Sequence, residues 1–148
     1  MMLEFTKVTI VRQTKPSEKN LNKDLQWLSE SLGLFNERDK ERSCFRIFVE
    51  LVKGARRKLL MSSDEIAART NLSRGTVIHH INRLMESGLV VNYEGKYLMR
   101  VDNLEALVEE LRKDLLRTLS DMQEIAEDLD EQLGLIKRVN NNSKVISD

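Results

Sequence analysis

The sequence predicts a mainly α-helical fold that carries one small β-hairpin and ends in a long helix. Three observations support this prediction. Apolar residues recur every three to four positions over much of the chain, two short β-rich runs flank a Glu-Gly turn, and the last third holds apolar residues at seven-residue intervals. A chain of 148 residues can bury roughly 68–70% of its unfolded surface, so a well-formed core is expected.

The composition fits a soluble globular protein, with 41% hydrophobic and 32% charged residues. No apolar run approaches the ~20 residues of a membrane span, and the N-terminus lacks a signal-peptide core. We therefore expect a cytoplasmic protein without a membrane partner. Its single cysteine, Cys44, excludes an intramolecular disulfide framework and a Cys-rich zinc site. A small buried side chain is the favoured interpretation of Cys44, and a redox-sensing thiol beside the neighbouring arginines is the alternative.

A net charge of zero hides a strong segregation of charge along the chain. Residues 36–100 carry 13 basic and 8 acidic side chains, whereas residues 102–131 carry 3 basic and 11 acidic ones. This asymmetry is compatible with a middle segment that meets a polyanion and an acidic element that does not.

The N-terminal part, residues 1–35, is predicted to hold one strand and one helix. The strand is the loosely alternating, β-rich segment 3–12, and a loop with the only proline follows it. From Leu21, leucines recur at helical spacing up to Leu32, and Gly33 ends that helix.

A compact domain is predicted for residues 36–101. Asn36 is a candidate cap for a buried helix from about 37 to 53, and residues 59–61 suit a brief strand. Ser62, with a glutamate three residues later, forms a capping box that opens a short helix. Ser73 caps the next helix, over 74–86, and two short strands around Glu94 and Gly95 form a hairpin.

The helices on either side of Asn71 meet the requirements of a helix-turn-helix. Ala67 is small where the helices must cross, and Asn71 tolerates a left-handed backbone. An apolar stripe then runs along the second helix through Leu72, Val77, Ile81 and Leu84. Because a hairpin follows at once, the order is that of a winged helix-turn-helix.

The stripe also fixes which side chains of the second helix are available to read DNA. Such a recognition helix enters the major groove with its N-terminal end, where Arg binds guanine and His or Asn contacts base edges and phosphates. The predicted contacts on this helix are Ser73, Arg74, Gly75, Thr76, Ile78, His79, Asn82 and Arg83. Flanking phosphate contacts are predicted for Lys96 at the hairpin tip and for Arg56, Arg57 and Lys58.

The stretch "TVIHHINRLMESGLV" resembles the recognition helix and wing entry of prokaryotic ArsR-type regulators, with the MarR type close behind. The resemblance covers about 40% of the chain, residues 45–101, and implies a homodimeric transcriptional regulator that contacts an operator, with repression as the favoured role. Two departures matter. The preceding helix has no cysteine, so the metal-sensing role is not implied, and Ile78 stands where the family commonly has serine.

The adjacent His79 and His80 are poor candidates for a metal or catalytic site. Neighbouring helical positions project about 100° apart, whereas a helical zinc pair is spaced i, i+4. A general base also needs a partner carboxylate and a nucleophile, and no such motif is present. We therefore predict no metal, no cofactor and no enzymatic activity, with His80 packing beside the apolar stripe and His79 facing outward.

The acidic segment 102–139 is predicted to form a helix of about 35 residues that dimerises, and residues 140–148 a flexible tail. Such a helix is ~52 Å long, more than one small domain covers, so its stripe needs a second surface. A second copy of the chain is the simplest one, and folding back on its own core is the alternative. The predicted dimerisation residues are Val108, Leu111, Leu115, Met122, Ile125, Leu129 and Ile136.

Two other uses of this fold stay open from the sequence. Winged helices also serve as protein–protein interaction modules or as components of the basal transcription machinery. The operator and any small-molecule effector are not readable from these residues, and neither is the choice between repressor and activator.

Overall fold

The computed structural model describes residues 7–137. Its elements follow in the order α1 (Leu21–Ser31), α2 (Ser43–Ala55), α3 (Ser63–Thr70), α4 (Arg74–Glu86), β1 (Val90–Tyr93), β2 (Lys96–Met99) and α5 (Leu104–Leu133). The predicted fold class is confirmed: a mainly helical chain with a two-stranded antiparallel hairpin and a long C-terminal helix. The chain divides into two compact units after Leu111. Within residues 7–137, no helix is both long and apolar enough to cross a membrane.

Short polar side chains cap the N-termini of α3, α4 and α5. Ser62 Oγ accepts from the backbone N–H of the third residue of α3 at 3.1 Å, and Ser73 Oγ does the same for α4 at 3.1 Å. Asn103 Oδ1 caps α5 at 2.7 Å. Each such cap satisfies an N–H that the helix leaves open and stabilises it by about 1 kcal/mol.

The predicted start of α2 is wrong by about six residues. Asn36 does not cap it, because its side chain accepts from the N–H of Arg38 at 3.0 Å in a local turn. The helix instead begins at Ser43, where the Asp39 carboxylate accepts from the backbone N–H groups of Ser43 (2.9 Å) and Cys44 (3.0 Å). Arg42 takes a left-handed backbone, φ 55°, which separates the turns from the helix. A carboxylate at a helix N-terminus is favoured over an amide because it also meets the helix dipole.

No strand forms over residues 7–12 of the predicted N-terminal strand, and residues 3–6 lie outside the described part. The segment hydrogen-bonds to helix ends: Lys7 N–H to Glu86 O at 3.1 Å and Val11 N–H to Ser31 O at 2.8 Å. A β-rich sequence forms a strand only beside another strand, and here its neighbours are helices.

The hairpin pairs Val90 with Met99 and ends in a tight turn. Glu94 and Gly95 both have positive φ, 53° and 82°, as a two-residue hairpin turn of this kind requires. The predicted strand at 59–61 is reduced to a single bridge. Met61 exchanges two backbone hydrogen bonds with Tyr97, at 3.0 and 2.8 Å. The strand lengthens on neither side, because Ser62 caps α3 and the N–H of Leu59 bonds back to the carbonyl of Gly54 at 3.1 Å.

One hydrophobic core joins α2, α3, α4, the hairpin and the first turns of α5. Its fully buried members include Phe48, Ile66, Ile81 and Leu107. Leu111 is only 3% exposed and belongs to the same core. The prediction of Leu111 as a dimer contact is therefore wrong, because its side chain already packs inside its own chain.

α5 has 30 residues and is shorter than predicted. It ends at Gly134, φ 68°, where the N–H of Leu135 bonds back to the carbonyl of Asp130 at 2.9 Å, a common helix stop. Ile136 lies beyond the helix and is 99% exposed, so it continues no helical stripe. Residues 138–148, including the predicted tail, fall outside the described residues.

Candidate nucleic-acid interface

The turn between α3 and α4 has the backbone that a helix-turn-helix needs. Asn71 has φ 56° and its N–H bonds to the carbonyl of Ala67, so the chain reverses in one residue. Thr70 Oγ1 donates to Ile66 O at 2.7 Å, and the Arg46 guanidinium of α2 donates to Thr70 O. These contacts tie the end of α3 to α2, and α4 packs against both helices through the hydrophobic core.

α4 has one buried face and one accessible face. Val77, Ile81 and Leu84 are fully buried. The predicted DNA contacts lie on the other side: Thr76, Ile78 and Arg83 are half-buried, and the remaining five are exposed, namely Ser73, Arg74, Gly75, His79 and Asn82. A Cβ added at Gly75 would meet nothing within 4 Å, so the surface there is open. The face is available to a duplex, and the individual contacts stay predictions.

Arg74 makes an ion pair with Asp64 of α3, Nε to Oδ1 at 3.6 Å. Both side chains are about two-thirds or more exposed, so this pair is screened by water and is worth little to the fold. Thr76 is more constrained, because its hydroxyl accepts from Ser73 Oγ at 2.8 Å next to the helix cap. Arg74 can therefore leave Asp64 for a base or a phosphate at little cost.

The predicted flanking cations come from two other elements. Lys96 is exposed at the start of β2, beside the hairpin turn. Arg56, Arg57 and Lys58 are exposed in the turn that follows α2. Lys58 has a positive φ of 53°, which sharpens this turn. All four ammonium or guanidinium groups stand in solvent, so none needs to break a buried contact to meet a phosphate.

His80 is buried and does not belong to the accessible face. It is 7% exposed, its ring lies edge-on to that of His79 with centroids 5.0 Å apart, and its Nδ1 has no hydrogen-bond partner among residues 7–137. Burial lowers the pKa of His80, and the nearby Asp39 charge offsets that only in part. Within the same residues, no group of three or more His, Cys, Asp and Glu side chains could hold a metal ion.

We expect the stability of the protein to fall as the pH drops below about 6.5, the ordinary pKa of histidine. Because the folded-state pKa of His80 is lowered, the unfolded chain binds this proton first, and stability is lost as the pH falls through the folded pKa. One such group gives a slope of at most about 1.4 kcal/mol per pH unit. Urea unfolding at a series of pH values measures it.

The control for this experiment is the neighbouring histidine. His80→Gln should flatten the pH dependence in this window, whereas His79→Gln, at an exposed position, should keep most of it, because burial and not the His79 charge is the main cause of the lowered pKa. An equal effect of both substitutions would contradict the assignment to His80. Asp39, whose pKa is lowered, contributes a separate loss only below its ordinary value of 3.8. Burial alone would raise that pKa, but the N–H groups of Cys44 and Ser43 outweigh it.

Cys44 is fully buried, and burial raises the pKa of its thiol to about 11, with Arg83 opposing the rise. A thiolate is the reactive form of cysteine, and it is scarce at neutral pH with such a pKa. The packing interpretation of Cys44 therefore describes this side chain better than the redox-sensing one.

A second candidate surface is the apolar stripe on α5 after Leu111. Residues at alternating spacings of four and three fall on one face of this helix. They are Leu115, Leu119, Met122, Ala126, Leu129 and Leu133. Leu115 is half-buried and the others are exposed, among them Met122 at 61% and Leu129 at 48%.

Three of these residues were missed by the sequence prediction. The sequence prediction takes an apolar residue at every seventh position of α5 and adds the residue three positions after each one. The added residues are Thr118, Ile125 and Gln132. Adding the residue four positions later instead gives Leu119, Ala126 and Leu133, which are all apolar. The sequence alone distinguishes the two choices, because the second set is entirely apolar, whereas the first set includes the polar residues Thr118 and Gln132.

Residues 61–91 match the model of a family described as winged helix-turn-helix DNA-binding. The match begins at the Met61 bridge and includes α3, α4 and the first residues of β1, which are the elements assembled above. The chain thus carries a winged helix-turn-helix domain of the DNA-binding class, which supports a role as a regulator that binds DNA. Comparison with curated proteins and with solved structures gave no match.

Proposed function

We propose that this protein is a sequence-specific transcriptional regulator, a repressor of the ArsR-like type, that binds double-stranded DNA as a homodimer. The observation that carries the proposal is the accessible face of α4 within a segment that matches DNA-binding winged helices. Arg74, His79 and Asn82 present on it the donors that read base edges in the major groove.

The stripe on α5 supports the homodimer. Its residues follow the heptad pattern. Leu115, Met122 and Leu129 repeat every seven residues, and the residue four positions after each of them is leucine or alanine. Large exposed apolar residues at regular spacing mark an interaction surface rather than a solvated face. A second copy offers the same stripe, so the two surfaces are complementary by symmetry.

The distribution of acidic residues on α5 also favours self-association. Two identical, negatively charged helices repel each other unless their charges lie away from the line along which the two α5 stripes meet, here called the seam. Only one of the six residues that lie directly beside the seam is charged, namely Asp130. The six are Leu116, Thr118, Gln123, Ile125, Asp130 and Gln132. The other carboxylates between 119 and 133 lie on the opposite face, namely Asp121, Glu124, Glu127, Asp128 and Glu131. The charge pattern therefore leaves the apolar contact between two copies unopposed.

A two-fold dimer makes a specific demand on the DNA. Two recognition helices read two half-sites of the same sequence in opposite orientation, so the operator is a pseudo-palindrome. In such dimers the half-site centres lie about 34–36 Å, one turn of DNA, or a multiple of that distance apart.

Selection of bound sequences from a random duplex pool tests the proposal, since it returns specificity, symmetry and half-site spacing together. We expect an enriched inverted repeat. Enrichment of a single half-site would contradict the dimer. Absence of binding to any duplex at low salt would contradict DNA binding as a whole and would favour a protein–protein interaction module.

Arg74→Ala should cost roughly 1–3 kcal/mol of operator affinity and relax the preference at one base pair per half-site, because a bidentate contact to guanine is lost. The same selection with the variant measures both effects. Arg69→Ala, at an exposed position of α3, is a matched control. Uniformly weaker binding with unchanged preference would show that Arg74 contacts a phosphate instead.

A further inference from the structure

A cleft of about 700 Å³ lies beside the recognition helix. One wall is the outer side of α4, with Gly75, Thr76, His79 and Arg83, and the other wall is the loop before α2. The loop contributes Asn36 and residues 38–41 and 43 to the lining. The cleft is thus continuous with the face of α4 that we assign to DNA, although nothing in the sequence motif for DNA reading includes this loop.

Two cations of the loop, Arg38 and Lys40, stand in this cleft. Arg38 and Lys40 are both exposed, and neither has an ion-pair partner among residues 7–137. Arg83, from α4, lines the same cleft. Cations held on a surface without a partner raise the local positive potential, and a polyanion is the ligand that such a potential attracts.

The acidic residues of the cleft cancel only part of this charge, because its lining has three cations and two carboxylates. Asp39 is engaged by the start of α2, where two backbone N–H groups hold its carboxylate at 2.9 and 3.0 Å. Burial raises the pKa of that carboxyl, but those hydrogen bonds and the His80 charge bring it below its usual value. Glu41 is exposed and has no such hydrogen bonds in the lining, so it is the acid that a ligand's negative charge meets most openly.

Local hydrogen bonds and ring contacts restrain the loop that carries the two cations. Asn36 closes one turn by accepting from Arg38 N–H at 3.0 Å and, through its carbonyl, from Asp39 N–H at 2.9 Å. The Arg42 guanidinium lies over the Phe35 ring at 5.3 Å, and Phe35 stacks on Phe45 with ring centroids 5.0 Å apart. Because the backbone is fixed before binding, little conformational entropy is lost when a ligand meets the side chains.

A helix in the major groove is flanked by phosphates on both sides of a channel only about 12 Å wide. The loop adjoins the outer side of α4, so a duplex that receives α4 brings one sugar-phosphate strand to the cleft. We propose that Arg38 and Lys40 bind backbone phosphates there and set the orientation of α4 in the groove. This inference rests on the proposed DNA-binding function and adds to it a contact surface outside the helix-turn-helix motif.

The test is the salt dependence of binding to a random-sequence duplex, which needs no knowledge of the operator. The slope of log Kd against log [KCl] falls by about 0.9 for each phosphate contact removed, so Arg38→Ala with Lys40→Ala should lower it by about 1.8 for each protomer, or about 3.6 for a bound dimer. Lys15→Ala with Lys19→Ala removes two exposed cations that do not line the cleft and serves as the matched control. We expect the variant that lacks Lys15 and Lys19 to show the same salt dependence as the original chain.

A second variant tests the sign of the charge effect. Glu41→Gln removes the acid that opposes a phosphate and should tighten duplex binding at low salt, with no change in the sequences selected from a random pool. Far-UV circular dichroism and thermal melting of each variant check that the fold is retained.

The outcomes separate this inference from the proposed function. If the original chain binds duplex and the Arg38/Lys40 variant keeps its slope, the phosphate contact is disproved while DNA binding stands. If the slope falls and base preference also changes, these residues read bases and the backbone assignment is wrong. If the original chain binds no duplex at all, both proposals fail.

Discussion

Met122→Glu should make the proposed dimer monomeric and weaken binding to the selected operator about 100-fold or more. Met122 lies in the middle of the α5 stripe, 61% exposed in the single chain, and in a two-fold dimer it meets its own copy. Burying two uncompensated carboxylates at one seam costs several kcal/mol, and loss of bivalent binding removes a factor of about 10²–10⁴ in avidity. Sedimentation gives the mass, and titration with the selected operator gives the affinity.

Ser120→Glu is the matched control, because it adds the same charge on the same helix away from the seam. We expect it to remain dimeric. If Met122→Glu also sediments as a dimer and binds as before, the stripe has another partner. A truncation after Arg100 is a poorer test of dimerisation. It would remove Leu107 and Leu111 from the core of the DNA-binding unit and would damage folding at the same time.

Leu107→Ala should lower the free energy of unfolding by about 2–5 kcal/mol, even though Leu107 lies outside the segment that matches the family model. The side chain is fully buried in the core that holds α2 and α4, so the substitution removes apolar contacts and leaves a cavity. Urea unfolding followed by circular dichroism measures the loss.

Leu116→Ala makes the same chemical change on the same helix at a side chain that is 56% exposed. It should cost far less, within about 0.5 kcal/mol if the site stays solvated. Equal losses for the two variants would mean that the beginning of α5 is not part of the DNA-binding core. The comparison assigns the first two turns of α5 to folding and leaves the rest to association.

The parts of this fold that the sequence predicted depend on local signals. Ser62 and Ser73 open helices because their hydroxyls reach an N–H three residues away, and the Glu94-Gly95 turn needs only its own backbone. The outward position of His79 follows from helical periodicity once the buried stripe of α4 is known. None of these features depends on a distant part of the chain.

The errors arise where contacts that the sequence pattern does not reveal decide the outcome. Leu111 has the heptad spacing of a dimer contact, but only the fold shows that the core is within its reach. The start of α2 was misplaced because a carboxylate competed with Asn36 for the same role. The loop cations Arg38 and Lys40 carry no motif, and their relation to α4 is visible only in three dimensions. Sequence periodicity describes a face of a helix, but it does not identify what covers that face.

Gly75 has a consequence for how this protein can change its target. Glycine inside a helix costs about 0.5–1 kcal/mol relative to alanine, and a methyl group at this position would meet no atom of the described chain. The fold would therefore gain from a larger residue here, and only an external partner has a reason to exclude one. Position 75 is a point where thermostability and target choice trade against each other. A library at this single codon, screened against shifted operators, is the shortest route to regulators with altered specificity and unimpaired folding.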